Sequence, residues 1–504
     1  MLKNKMRFKK ALLSENTESG ALTATIIAAI LAINVIIYVI VSTFSLYFTS
    51  SSKDMIVLSG NTDYLFEEAI DEGKKVKISF CYPTKEELEA HSTGAFVHKT
   101  AEEYAKRYPD FIEIEYINII TRQNHKGEDV DLKAYQTDMQ GNETSILRSS
   151  VIFSSANNYK VVTDTFSSDG FSDFYTLDGS GNATSYNGEA YMASMIRWVT
   201  VSEHPTAYFT MGHSERMDSS FVNLLVSAGY YVDTVNLKEE EVPDDAALLI
   251  VSNPQSDFEK SSGATASLFA EIERLENYIK RGGNIYVALD PYVKELPVFE
   301  KFLADKGIAF SETEGARNIV KDSNNAITTD GFTLVTEYAD NEIARKVGDK
   351  VESFSDGSVI VREAAALELS KDAKPLLVTT PSSVTEAGGN QIDNSGNYTV
   401  AAYTKLAGDG KKVASLFVVS SIYASVSDAL VTNGYSNKDF LYSLFENLFG
   451  KKGMPYGCSV VRADTSILEN LTMGTARIYT ALILAVPSAL AIIGAVVVVK
   501  RKNR

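Results

Sequence analysis

Three short segments gather chemistry-bearing side chains immediately after apolar runs: Gly212-His213-Ser214-Glu215, Asn253-Pro254-Gln255-Ser256-Asp257 and Asp290-Pro291. A histidine beside several carboxylates is the material of an acid/base pair or of a metal site. If each run is a strand of a parallel sheet, the three segments fall at carboxyl ends, where such sheets bind ligands. Gly212, His213, Glu215, Asn253, Asp257 and Asp290 would then lie along one edge. The plainer alternative is more common. In it, His213 and Glu215 cap the next helix and bond backbone amides, and Asp290 shapes a turn before Pro291. No nucleophile is evident, because there is no G-x-S-x-G elbow and no cysteine near Gly212. His91, His98, His125 and His204 form no HExxH or HxH pair, so neither a metal nor a cofactor is expected. A Walker A sequence is absent, and Gly282–Gly283 and Asp178–Asn182 lack phosphate-loop order.

The elements that must hold these residues follow from the apolar pattern. Thr206–Met211, Tyr230–Asn236, Ala247–Ser252 and Asn284–Leu289 read as strands. Helices end at Ala228 or run over Ala264–Lys280 and Leu296–Lys306, and Gly229, Gly282–Gly283 and Gly307 follow them as left-handed caps. Apolar runs alternating with helices predict an α/β domain with a doubly wound, flavodoxin-like parallel sheet, covered on both faces. Upstream, the strand Lys75–Phe80, a helix over Phe96–Tyr108 and the strand Phe111–Asn118 make a βαβ unit, somewhat thioredoxin-like. Cys81 stands there alone, without the second cysteine of a redox pair. A hairpin over Ser149–Thr165 turns at Asn157–Asn158, Ser167–Gly188 reads as a surface loop, and Glu189–Thr200 as an amphipathic helix. Downstream, Val359–Val361, Pro375–Thr379, Tyr398–Tyr403 and Val413–Val419 are strand candidates of a β-rich extension, closed by a helix over Asn437–Phe449. Whether this extension joins the parallel sheet stays open.

Two longer apolar stretches, Ala21–Phe48 and Ile478–Val499, lie at the ends of the chain. Each exceeds the roughly 20 residues needed to cross a bilayer. Bases flank their outer sides: Lys3, Lys5, Arg7, Lys9 and Lys10 before the first, Lys500, Arg501, Lys502 and Arg504 after the second. Positive flanks stay cytoplasmic, which predicts a bacterial plasma-membrane protein with both termini inside and the middle outside. The expected order is a basic terminus (1–20), a span (21–48), an α/β domain (53–203), a second α/β domain with its extension (204–450), a linker (451–477), a span (478–499) and a basic tail (500–504). Asn34, Tyr38 and Ser42 follow one stripe of the first span, and Pro487 can kink the second; these are candidate docking points for a membrane partner. Of the formal charge of −17, the first twenty residues contribute +3 and the last five +4, leaving −24 for the rest. Such an acidic exterior argues against nucleic acid as a ligand. Cys81 and Cys458 are the only cysteines, and a bridge between them is left open.

Several phrases together resemble the GldG-like family. They are YNGEAYMASMIRWVT, TAYFTMGHSER, LENYIKRGGNIYVALDP and FEKFLADKGI, followed by KPLLVTTPS (Lys374–Ser382) and the helix NKDFLYSLFENLF (Asn437–Phe449). The similarity spans roughly Lys75 to Gly450. Members of that family are auxiliary, membrane-anchored subunits of ABC-2-type transporters, first associated with gliding motility. The resemblance implies a non-enzymatic role, a degenerate amidotransferase-like fold without the catalytic cysteine, and two partners: a multi-span permease and a cytoplasmic ABC ATPase. Ser214 stands where the family often has glycine, which tells against a positive φ at that turn. Two other readings remain: a membrane-tethered hydrolase acting through His213, Glu215 and Asp290, or a sensor or adhesion module without a transporter.

Overall fold

Two sheets, laid down one after the other along the chain, organise the computed structural model. It describes residues 56–458 and 461–462 except 138–142, 157, 164–170, 178–182, 261–270, 356, 393–394 and 432–433. These residues belong to one compact unit, Ile56–Ala463. None of their helices is long and apolar enough to cross a membrane. The expected spans at 21–48 and 478–499, with Asn34, Tyr38, Ser42 and Pro487, lie outside the described residues.

The first sheet contains β1 (Val76–Phe80), β2 (Ile112–Asn118), β3 (Gln123–Asn124), β4 (Val151–Ser155) and β5 (Asn158–Val162), in the order β3-β2-β1-β4-β5. β1 runs parallel to β2 and antiparallel to β4, and Ser155 pairs with Asn158 across the β4–β5 turn. Helices α1 (Ser92–Arg107) and α2 (Gly188–Thr200) bury Val97, Ala101, Tyr104, Met192, Met195 and Ile196 against β1 residues Val76, Ile78 and Phe80. α1 begins four residues before the expected Phe96 because its first turn, Ser-Thr-Gly-Ala, carries no large apolar side chain.

Ser167–Gly188 is not a loose surface loop where it is described. Phe171, Phe174, Tyr175 and Tyr186 are buried, and the strands Tyr175–Leu177 and Ala183–Tyr186 pair with each other. The aromatics between the glycines and serines supply the apolar area that holds this segment down.

The second sheet has nine strands. β6 (Thr206–Met211), β7 (Tyr231–Asn236), β8 (Ala246–Ser252) and β9 (Asn284–Ala288) are followed by β10 (Thr333–Tyr338), β11 (Ile360–Arg362), β12 (Lys374–Thr379), β13 (Thr399–Ala407) and β14 (Val413–Val419). The order is β11-β10-β12-β13-β14-β9-β8-β6-β7. β7, β6, β8, β9 and β14 are mutually parallel, and β13 joins β14 in antiparallel register. Numbered by occurrence, the parallel part reads 2-1-3-4-5, the doubly wound order. The extension therefore shares the sheet, inserted before the fifth parallel strand. Alternate residues serve opposite faces, as a pleated strand requires. Phe209, Ile250 and Tyr286 enter one core with α3 (Ser219–Ser227), whereas Tyr208, Leu249 and Ile285 enter another with α4 (Glu271–Lys280) and α5 (Pro297–Asp305).

β10 and the helix α6 (Glu342–Glu352) were not legible in the sequence. The final helix α7 (Asn437–Asn447) packs on α6 and is almost wholly buried. The stretch from Lys451 is no free linker, since Met454, Tyr456 and Cys458 are buried against this core. Val461–Arg462 then pairs with Tyr186–Ser185 beside the first sheet.

Candidate functional site

The sheet order decides where the site lies. Successive connections depart in opposite directions from β6, to β7 on one side and to β8 on the other. This opens a crevice at the carboxyl ends of β6 and β8. The loops after those strands are Gly212–Asp218 and Asn253–Lys260, so His213 and its neighbours are where the sequence predicts them. The loops are tied together: Gln255 N–H donates to the His213 carbonyl at 2.8 Å, and Arg216 N–H to that of Ser252 at 2.8 Å.

His213 is 1% exposed and stacks on Phe258 at 4.3 Å between ring centroids, with Phe258 stacked in turn on Phe299. Its Nε2 lies 2.7 Å from Oε1 of Glu271, a carboxylate with no exposure at the described start of α4. The other Glu271 oxygen accepts the Glu259 N–H at 2.8 Å. His213 Nδ1 lies 3.1 Å from the hydroxyl of Ser256, which is exposed. In a neutral imidazole, the proton on Nε2 faces the Glu271 carboxylate and leaves Nδ1 to accept from Ser256 Oγ. Exposed hydroxyl, buried imidazole and buried carboxylate thus stand in line at the distances of a nucleophile–base–orienter relay.

The remaining predicted residues have narrower roles. Glu215 does not cap α3; its Oε2 accepts the His213 N–H at 2.7 Å, and its buried Oε1 finds no partner among the described residues. Asp218 is the cap instead, accepting from Ser220 N–H at 3.0 Å. Gly212 takes φ +118° and Ser214 takes +57°, so serine here does adopt the left-handed backbone that the substitution had argued against. Asn253, at φ +54°, accepts the Gln255 side-chain amide at 2.8 Å. Asp257 holds the start of α5 by accepting from Val298 and Phe299 N–H at 2.8 and 3.0 Å. Asp290 accepts from Tyr292 N–H at 2.9 Å and makes the turn of the plainer reading.

That turn borders a separate cleft of about 690 Å³ lined by Tyr292, Lys294, Glu295, Arg317, Phe332 and Glu386. Arg317 props the loop by donating from Nη1 to the carbonyls of Pro291 (3.0 Å) and Val293 (2.8 Å). Among the described residues Asp290 makes no hydrogen bond to His213, and it shapes the turn whose Pro291 and Tyr292 line this cleft.

Sequence reasoning missed Ser256 and Glu271 as the two side-chain partners of His213. Ser256 stands in a quoted segment but in no recognised elbow. Glu271 lies 58 positions from His213, a separation only the fold can close. Cys81 and Cys458 are free and buried. Burial pushes the Cys81 thiol up to about 12, which removes it as a nucleophile near neutral pH.

No family model matches the chain, and no curated protein does. Solved structures similar to it include the mmIFT52 N-terminal domain (16% identity, TM-score 0.37, 48% of this chain and 97% of that one). A ThuA-like protein from Bacteroides uniformis aligns at 14% identity and TM-score 0.29, covering 48% and 92%. A glutamine amidotransferase from Thermotoga maritima aligns at 13% and 0.27, covering 49% and 99%. Likenesses this distant carry no argument about activity.

Proposed function

We propose that the chain is a non-enzymatic auxiliary subunit of an ABC-2-type export system, as its resemblance to the GldG-like family implies. In this reading residues 21–48 and 478–499 span the bacterial plasma membrane, and the α/β body outside it binds substrate, envelope material or a partner protein. The permease and the ATPase are separate chains.

The observation that supports this reading is the convergence of the two ends of the body. Ser59 N–H and Oγ both donate to Glu189 Oε1 (2.7 and 2.6 Å), at the start of α2. Three residues upstream of Glu189, Tyr186 pairs with Val461. Asn61 Nδ2 donates to the Gly457 carbonyl at 3.1 Å, and Tyr64 Oη to that of Met454. A chain anchored to one membrane through both ends needs the two ends of its folded part close together, and these bonds hold residues 59–64 beside residues 454–457. Thiol labelling tests the topology in cells, with single cysteines introduced at residues 5, 292 and 502 of a variant lacking Cys81 and Cys458. The reading expects a membrane-impermeant reagent to label only position 292. Labelling at 5 or 502 contradicts it.

The Ser256–His213–Glu271 relay favours a second reading, a tethered acyl hydrolase. A fluorophosphonate probe decides between the two. Covalent labelling lost in Ser256→Ala supports the hydrolase, and absence of labelling in the intact chain removes it.

A further inference from the structure

Away from the sheet edge, the middle of α1 and the short helix before it carry a second cluster that the functional reading does not use. Glu89 ends a short helix, Lys85–Glu89, while His98 and Glu102 follow at i, i+4 on one face of α1. One ligand atom from each of the three lies within 4.8 Å of the others. His98 is fully buried. Its Nε2 meets the Tyr116 hydroxyl at 2.6 Å, and its ring packs edge-on against Phe80. Nδ1 is different. It sits 3.1 Å from Glu89 Oε1, close enough for an ion pair but off the line of a hydrogen bond, and has no hydrogen-bond partner.

When the Nε2 proton is directed at the Tyr116 hydroxyl, Nδ1 offers its lone pair beside the Glu89 carboxylate, and a cation held between them satisfies both. Lys85 supplies one charge from the side: its Nζ bonds Glu102 and lies 3.6 Å from Glu89. Lys85 is 40% exposed and on a single-turn helix, so it can swing out.

We propose that Glu89, His98 and Glu102 form a binding site for a divalent transition-metal ion, best matched by zinc, which displaces the Lys85 ammonium. One imidazole nitrogen and two carboxylate oxygens are zinc ligands, leaving the fourth position to water. Tyr116 does what outer partners of metal-bound histidines do, fixing the tautomer that presents Nδ1. Tetrahedral bonds of about 2.0–2.1 Å need ligand atoms about 3.3 Å apart. Glu89 Oε1 and His98 Nδ1 already stand 3.1 Å apart, so only the wider spacings, none above 4.8 Å, must close, by at most about 1.5 Å.

The test is titration of the full chain in mild detergent, without a histidine tag, with Zn²⁺ against a chromophoric chelator. The proposal expects one site per chain, weakened at least ~10-fold in Glu102→Gln and Glu89→Gln and ~10–100-fold in Tyr116→Phe. Lys85→Met is expected to tighten it, an opposite change that general misfolding does not produce. No stoichiometric zinc, or zinc binding indifferent to Glu102→Gln and Lys85→Met, overturns the proposal.

Discussion

Replacing Glu271 separates what the buried pair does for the fold from what it does for the relay. Glu271→Ala strips the partner from two groups: His213 Nε2, at 2.7 Å, and the Glu259 N–H, at 2.8 Å. The buried His213 donor left unsatisfied costs about 1–3 kcal/mol, and the Glu259 amide, on an exposed residue, adds less. The expected loss is therefore about 1–3 kcal/mol. Glu271→Gln keeps the volume and can satisfy both neighbours: its carbonyl takes the Glu259 N–H, and its amide donates to His213 Nε2 once the ring proton has moved to Nδ1. About 1 kcal/mol is expected for that exchange. The same tautomer turns Nδ1 into a donor, so Glu271→Gln should abolish any fluorophosphonate labelling of Ser256 while remaining folded. Urea unfolding reads the stabilities, followed by circular dichroism and by the fluorescence of Trp198, the single tryptophan. Glu271→Ala within 1 kcal/mol of the parent, or Glu271→Gln as damaging as Glu271→Ala, refutes this account of the pair.

Other outcomes follow from the same geometry. Ser214 holds φ +57°, so Ser214→Gly relieves left-handed strain and should raise stability by about 0.5–1 kcal/mol in the same assay, after glycine's unfolded-state entropy is counted. Asp257→Ala removes two bonds to the first amides of α5 and should lower stability by about 1–2 kcal/mol. Burial, with Lys451 and Arg197 nearby, lowers His204 to about 4. The unfolded chain then binds this proton first, so the contribution of His204 is complete above about pH 6.5 and is lost as pH falls toward 4. His204→Gln should flatten the stability–pH profile across that window relative to the parent, and parallel profiles would contradict it.

Much of the fold was legible because its strands are short apolar runs with clear stops. Val413–Val419 and Thr206–Met211 fall where the pattern put them, and Gly229, Gly282 and Gly307 take the positive φ expected of caps. Legibility failed where burial comes from non-local partners. α6 is strongly amphipathic yet rich in charge, and β10 is half-buried and pairs with strands far along the chain. Residues 451–458 look polar and glycine-spaced, but Tyr456 stacks on Phe354 and bonds Glu446. At the site, the edge position of His213 followed from the strand order, because carboxyl-end loops beside a switch point converge in any doubly wound sheet. The identity of its carboxylate did not, since Glu215 is near in sequence and Glu271 is near in space. Serine at position 214 misled for a related reason: hydrogen bonds around the turn, including His213 N–H to Glu215, hold a backbone conformation that its side chain disfavours.

The measurement closest to the central claim is affinity purification of the intact chain in mild detergent, with mass spectrometry of the co-eluting proteins. The account predicts recovery of a multi-span permease and an ABC ATPase in fixed ratio. A partner-free protein in repeated preparations would contradict it.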